Sequence, residues 1–339
     1  MLHVRKRDRQ KYSEACRPIL GKYTDGILGR LIDLLAVFAL LAGTATTFSL
    51  ATPLMASVIG ELFHVELNRT VVTIIILVLT CVVYTYSLLH GFKGISFLAK
   101  SCIYLFFGLL AYVFLFGGET KYIIETGFSA IGRVVQNFFQ LATYTDPQRT
   151  TSFPQTWTIF YWAYWMVWCV ATPFFIGNIS RGRTVRQTIF GGYLFGCGST
   201  IVSFIILGNY SLGQQIAGAA DYIAMYQKNG DLYSIIIAII RTLPCAPLIL
   251  ALLFITMVAF YATSFDSIAL IGACYSYHKL GENESPHKLI ELMWCVLLIA
   301  LPIALVFSDS SMSNLQSVSI IAAFPIAAVI VLITFSFLK

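Results

Sequence analysis

The chain has 339 residues, of which 58% are hydrophobic and 11% charged, with a mean hydropathy of +0.79 and a formal net charge of +6. A soluble domain carries about 25% charged residues, so this composition excludes an ordinary soluble enzyme or nucleic-acid-binding domain and points to an integral membrane protein. The apolar runs have helical length, and the alternating ten-residue pattern of a membrane β-barrel is absent.

Residues 1–29 are polar and basic and contain no apolar stretch of the kind a cleavable signal peptide needs. They read as a cytoplasmic lead-in. Apolar runs then recur at 30–50, 71–90, 95–117, 157–178, 188–208, 247–273, 289–308 and 315–338. Eight spans of roughly 20 residues suit the thickness of a bilayer's hydrocarbon core. With the N-terminus inside, 16 of the 22 Lys and Arg fall on the cytoplasmic side, so both termini are expected there. The basic lead-in abuts a span, which argues against nucleic acid as its partner.

The first span holds Asp33 near its cytoplasmic end, with Arg30 one turn earlier as a partner. It continues through Gly43-Thr-Ala-Thr-Thr47 to Pro53; small and hydroxyl residues there suit either close helix packing or the supply of oxygens deep in the membrane. Spans two and three follow, joined by His90-Gly-Phe-Lys-Gly94, and Lys100 is near enough to the cytoplasmic end to snorkel. Residues 118–156 form a long external segment whose stretch 127–141 is amphipathic and too short to span, as a helix lying in the interface would be.

Four of the five Trp of the chain then fall within residues 157–168. Trp157, Tyr161, Tyr164, Trp165 and Trp168 follow i, i+4, i+7, i+8, i+11, one face of a helix. A stripe of electron-rich rings holds a cation without a countercharge; the competing reading is an anchoring belt or simple packing. The compact basic turn Ser180-Arg-Gly-Arg-Thr-Val-Arg186 follows, and then a span carrying Gly191, Gly192, Gly196 and Gly198, with Gly192 and Gly196 spaced for close packing. Residues 209–246 form a second external segment, whose Ile235–Ile240 run ending at Arg241 and Pro244 predicts a short helix on the outer face.

The span 247–273 reads Phe260-Tyr-Ala-Thr-Ser-Phe-Asp-Ser267 at its middle. A carboxylate such as Asp266 at that depth should face a cavity, a partner or an ion, or be held by neighbouring helices. Thr263, Ser264 and Ser267 supply hard oxygens of the kind sodium prefers. Two more spans close the chain. The eight Cys are dispersed without metal spacing and read as packing residues. No catalytic set, P-loop or zinc pattern is present in the sequence, so no enzyme is expected. Aromatic stripe and hydroxyl–carboxylate patch together suit a carrier of a small cation coupled to an ion.

Trp157-Thr-Ile-Phe-Tyr-Trp-Ala-Tyr-Trp-Met-Val-Trp168 followed by Ile179-Ser-Arg-Gly-Arg-Thr-Val-Arg186 closely resembles the signature of the betaine/carnitine/choline transporter family. Ser152-Phe-Pro-Gln-Thr-Trp157, Gly43-Thr-Ala-Thr46 and Thr263-Ser-Phe-Asp-Ser267 resemble it as well. The resemblance covers nearly the whole chain. It implies an all-α membrane protein of the leucine-transporter type, in which two peripheral spans precede two inverted five-helix repeats. On that count this chain holds the last eight of twelve spans: 1–29 a lead-in, 30–117 the last three helices of the first repeat, 118–156 the external segment, and 157–339 a complete second repeat. The expectation is an N-terminally truncated chain, lacking the helices that supply half of the aromatic box and half of the sodium site, and so incomplete as a transporter.

Residue by residue, Tyr164, Trp165 and Trp168 match the family's central-box and access-path aromatics, and Trp157 matches an outer-site Trp. Tyr164 stands where the family usually has Trp, which keeps a π face and adds a hydroxyl. Phe260, Thr263 and Ser264 match the sodium-binding stretch of sodium-coupled members. Thr44 matches one hydroxyl of a second sodium site, but Leu40 stands where sodium-coupled relatives have Thr. Asp266 is given a structural or gating role.

The resemblance implies a secondary transporter of quaternary ammonium solutes (glycine betaine, choline or carnitine) in the cytoplasmic membrane, working by alternating access. Sodium is the expected coupling ion and no other cofactor is expected; homo-oligomers, often trimers, are the family habit. The alternatives are a non-transporting remnant or binding scaffold using the same aromatic face, and a carrier of an amine without the trimethyl group.

Overall fold

The structure is a computed structural model and describes residues 11–65, 68–89, 92–180, 182–277, 280, 286–307 and 312–338. Those residues are helical wherever they are regular, as a chain in lipid must be when every backbone group needs an internal partner. Among the described residues seven helices are long and apolar enough to cross a membrane: α1 (Ile27–Phe63), α2 (Arg69–Leu89), α3 (Phe92–Phe116), α7 (Val185–Ile216), α10 (Ala246–Tyr275), α11 (Lys288–Phe307) and α12 (Met312–Leu338). Between them lie α4 (Thr120–Gln136), α5 (Phe160–Trp168), α6 (Thr172–Ile179), α8 (Tyr222–Asn229) and α9 (Leu232–Arg241). The all-α membrane architecture expected from the sequence is what the chain forms.

Helix α1 is the axis of the bundle. Its 37 residues, at about 1.5 Å each, outrun a hydrocarbon core of about 30 Å. It ends at His64, whose φ of 52° is left-handed, with Val65 N–H returning to the Gly60 carbonyl at 3.1 Å. Phe48 stacks on Phe265 of α10, with ring centroids 3.7 Å apart, and meets Tyr261 edge-on at 5.0 Å. Thr46 shares a 2.7 Å hydrogen bond with Ser319 of α12. The Tyr84 hydroxyl of α2 donates to the Cys295 carbonyl of α11 at 2.7 Å. Four helices are thereby locked to α1 or to one another by fully buried groups.

The fourth of the eight apolar stretches, 157–178, is a broken helix. A wide π-helical turn, Pro154–Ile159, leads into α5, and α6 starts after a break at Cys169–Ala171. Pro173 explains the break: it has no N–H to give the Cys169 carbonyl four residues earlier. Around the gap the chain tightens to three-residue bonds, Val170 N–H to Val167 and Ala171 N–H to Trp168. The Cys169 carbonyl instead accepts the Tyr12 hydroxyl at 3.4 Å.

Helix α7 behaves differently from the rest. Over Val185–Ser203 none of its described side chains is buried, and a Cβ added at Gly191, Gly192, Gly196 or Gly198 would meet nothing within 4 Å. The close-packing face expected at Gly192 and Gly196 is therefore open toward the described residues. Only the last part of α7 packs, with Tyr210 buried against Val113, Ile123 and Leu243.

The two segments expected to be external are largely helical. The amphipathic stretch expected at 127–141 begins earlier, at Thr120, and is interrupted at Asn137 before a short helix, Phe138–Thr143. The short outer helix expected around Ile235–Ile240 is α9, ending at Arg241. Asp33 accepts the Ser13 N–H at 3.0 Å and pairs with Lys11 at 3.9 Å. The side chain of Asp266, and the residues His90, Arg181, His278 and Lys279, lie outside the described set.

Candidate functional site

The aromatic helix leans on α1 at a point made by a glycine. A Cβ at Gly43 would lie 2.7 Å from Val167 Cγ1 and 3.7 Å from the Trp168 ring, so only glycine permits the approach. One turn on, the Tyr164 hydroxyl and Thr47 Oγ1 are 2.5 Å apart. Thr47 donates its one proton to the Gly43 carbonyl at 2.8 Å, so Tyr164 is the donor to Thr47. This fixes the Tyr164 ring.

Other rings gather around it. Trp168 lies at 6.1 Å and 71°, Trp165 at 6.2 Å and 73°, both edge-to-face, and buried Phe160 at 5.4 Å. Such T-shaped contacts present a π face of one ring beside the edge of the next. Trp165 is 62% exposed and Trp168 half-buried, so the cluster has one open side. Trp157 stands apart: it is half-buried and stacks on Tyr161 at 6.0 Å and 25°. It sits in the wide π-helical turn, where the register departs from that of a regular helix. The five-ring stripe read from the spacing thus makes contact in two parts, Trp157 with Tyr161 and Tyr164 with Trp165 and Trp168, and Phe160 joins them, 5.5 Å from Tyr161 and 5.4 Å from Tyr164. Trp162 is 54% exposed and donates its Nε1–H to the Ala142 carbonyl at 3.0 Å, an arrangement suited to an interfacial anchor.

The second set of expected residues lies on another face. Phe260 is 41% exposed and meets Phe106 of α3 edge-on at 5.5 Å, whereas its neighbour Tyr261 turns toward Phe48 of α1. Thr263 Oγ1 is engaged with the carbonyls of Ala259 and Phe260, each at 3.0 Å, and Ser264 is exposed. Thr44 is fully buried on α1 and donates to the Leu40 carbonyl at 2.6 Å. Among the described residues no hydrogen bond joins Thr44 to the Phe260–Ser264 stretch. No group of three or more His, Cys, Asp or Glu that could hold a metal exists among the described residues.

Thr47, Phe160 and Gly43 belong to the site and were not singled out from the sequence as such. Thr47 lies in the hydroxyl-rich run of the first span, three residues past Thr44, and one more helical turn of that run would have reached it. Phe160 was one turn from Tyr164 on the helix already marked.

The family model for "BCCT, betaine/carnitine/choline family transporter" matches residues 1–339. The chain is 32% identical over 330 residues to the glycine betaine transporter OpuD of Bacillus subtilis, covering 94% of this chain and 61% of that one. It is 25% identical over 338 residues to a carnitine transporter of Acinetobacter baumannii, covering 99% and 61%. To the betaine/ectoine transporter LcoP of Corynebacterium glutamicum it is 29% identical over 336 residues, covering 96% and 51%. The chain therefore spans between half and about three fifths of the length of these relatives. With a match along its whole length, an all-helical membrane architecture and the signature rings set against α1, this chain belongs to the betaine/carnitine/choline transporter family, a family of transporters and not of enzymes.

Proposed function

We propose that the chain serves a secondary carrier of quaternary ammonium solutes, and that the Tyr164 cluster receives the solute's cationic head. The observation that carries this is the ring geometry: two edge-to-face contacts and one tilted contact around one tyrosine whose hydroxyl is pinned to Thr47. A trimethylammonium group has no proton to donate, so hydrogen-bond acceptors gain nothing from it, whereas a ring face attracts it by about 0.5–2 kcal/mol. Trp168 and Trp165 extend the surface, and Trp157 with Tyr161 forms a second aromatic step on the same side of the break. Glycine betaine and carnitine, named for the relatives, fit this chemistry, as does choline.

Sodium coupling is part of the proposal and rests on the oxygens of Phe260, Thr263 and Ser264, with Thr44 as the weaker candidate. The Thr263 and Thr44 hydroxyls are turned to their own helices here, so binding an ion requires Thr263 to rotate away from the Ala259 and Phe260 carbonyls. Alternating access in the cytoplasmic membrane, with both termini inside, completes the reading.

The test uses the purified chain. Tryptophan fluorescence titrated with glycine betaine should saturate, and the neutral isostere of the same size should give no saturable change. Tyr164→Phe keeps a π face and should bind within about tenfold of the parent, whereas Tyr164→Leu should lose at least about tenfold. No saturable response to glycine betaine, choline or carnitine would overturn the assignment of this cluster.

A further inference from the structure

The C-terminal half of α1 carries polar groups of two kinds. Most are answered directly. Thr46 shares its bond with Ser319, and the Leu50 carbonyl accepts the Tyr233 hydroxyl of α9 at 2.7 Å. Glu61 takes both prongs of Arg241, Nε to Oε1 at 2.5 Å and Nη2 to Oε2 at 2.7 Å. Ser49 and Thr52 differ. They are 3% and 0% exposed, and their hydroxyls have no hydrogen-bond partner among the described residues. Three residues apart on one helix, they are neighbours on one face. The carbonyl of Ser49 belongs to the same place, because Pro53, four residues on, has no N–H to give it.

A third hydroxyl comes from the facing helix. Tyr261 of α10 sets its ring edge-on against Phe48 at 5.0 Å, which anchors it beside α1 one residue before Ser49. Its hydroxyl lies within electrostatic reach of Thr52, yet no direct hydrogen bond closes between them. Tyr261 is 7% exposed, so bulk solvent does not serve its hydroxyl either. Two buried polar groups that face each other without bonding have the geometry that a bridging water completes.

The balance of donors and acceptors identifies the ligand. The hydroxyls of Ser49, Thr52 and Tyr261 bring three protons to one place, where the acceptors are their own oxygens and the Ser49 carbonyl. A cation binds oxygen lone pairs and leaves those protons without acceptors. Water accepts and donates, so it answers both kinds of group.

We propose that Ser49, Thr52, Tyr261 and the Ser49 carbonyl form an internal water site, and that this water ties α1 to α10 one turn beyond the Phe48–Phe265 stack. It places a hydrated point in the seam beside Phe260, Thr263 and Ser264, and it holds whether or not those residues bind sodium.

The test uses the full chain in nanodiscs and no solute. A short synchrotron pulse makes hydroxyl radicals wherever water is, and mass spectrometry reads which side chains they modify. Tyr210 is the control, buried like Tyr261 but with its hydroxyl bonded directly to Thr242 at 2.8 Å. Tyr261 is expected to be modified at least about fivefold faster than Tyr210, and Thr52→Val to remove most of that difference. The thermal midpoint gives a second readout. Loss of a buried hydroxyl that bonds nothing leaves the midpoint unchanged or raises it, whereas loss of one that holds a water lowers it. Thr52→Val and Tyr261→Phe are each expected to lower it, and the double variant to lower it by less than the sum, because both lose the same water. Modification of Tyr261 no faster than of Tyr210, or single variants no less stable than the parent, overturns the proposal. So does a midpoint that shifts when sodium replaces potassium in the parent and not in Thr52→Val, since the ligand is then a cation.

Discussion

Tyr164 and Gly43 share one contact, and the pair can be separated by substitution. Gly43→Ala places a methyl 2.7 Å from Val167 Cγ1, a buried side chain of a helix held by its own rings. Overpacking of that kind costs about 1–3 kcal/mol. The expected outcome is a lower thermal midpoint, measured by the loss of the monodisperse peak after heating, together with weakened fluorescence response to solute because Tyr164 is pushed from Thr47. A second residue-scale expectation concerns Asp146 in the loop before the aromatic helix. Its carboxylate accepts the Thr151 N–H at 2.7 Å, the Thr150 hydroxyl at 2.9 Å and the Tyr144 hydroxyl at 3.3 Å, and these donors, the Thr151 N–H above all, hold its pKa below the ordinary value of 3.8. A depressed carboxylate stabilises its loop above the ordinary value and loses that contribution as pH falls through the folded value. Protection of the Thr151 amide against exchange should therefore persist at neutral pH and fade only in strong acid, and Asp146→Asn should reduce it at every pH.

At the scale of the element, the break after Trp168 has one cause and one consequence. Pro173→Ala gives the Cys169 carbonyl a donor, and the expected outcome is a continuous helix through 169–172 with slowed amide exchange there and a displaced Tyr12 contact. Faster exchange in the variant would contradict the account. Sequence made the apolar run visible but not its interruption, although Pro173 was in plain view: a proline in a membrane helix is tolerated often enough that its presence alone does not place a gap. The seven uninterrupted helices were legible because twenty apolar residues leave few alternatives. Trp165 and Trp168 were legible as a ring stripe from periodicity, yet the partition of that stripe was not, because a wide turn at Pro154–Ile159 changes the register that periodicity assumes. Thr47 was hidden for another reason. Six hydroxyl residues crowd α1, most of them bonded back to their own helix, and spacing cannot say which one a distant tyrosine chooses.

The molecule as a whole is unevenly packed. Around α1, residues from α10, α11 and α12 are buried to the last atom, whereas the first two thirds of α7 keep their apolar side chains exposed. That contrast sets the most buried part of the chain against the Tyr164 cluster, whereas over Val185–Ser203 no described side chain of the glycine-rich helix is buried.

Nearly every decisive bond described above crosses the same gap in the sequence. Thr46 with Ser319, Thr47 with Tyr164, Tyr84 with Cys295, Tyr12 with Cys169, Glu61 with Arg241 and Leu50 with Tyr233 each join a residue before 117 to one after 154. The stretch between contributes few of them. Two halves interleaved in this way should recognise each other without a covalent link. Expressed as separate polypeptides divided within 147–150, they are expected to complement: an affinity tag on one should retain the other through detergent extraction, and Thr46→Val with Tyr84→Phe should release it.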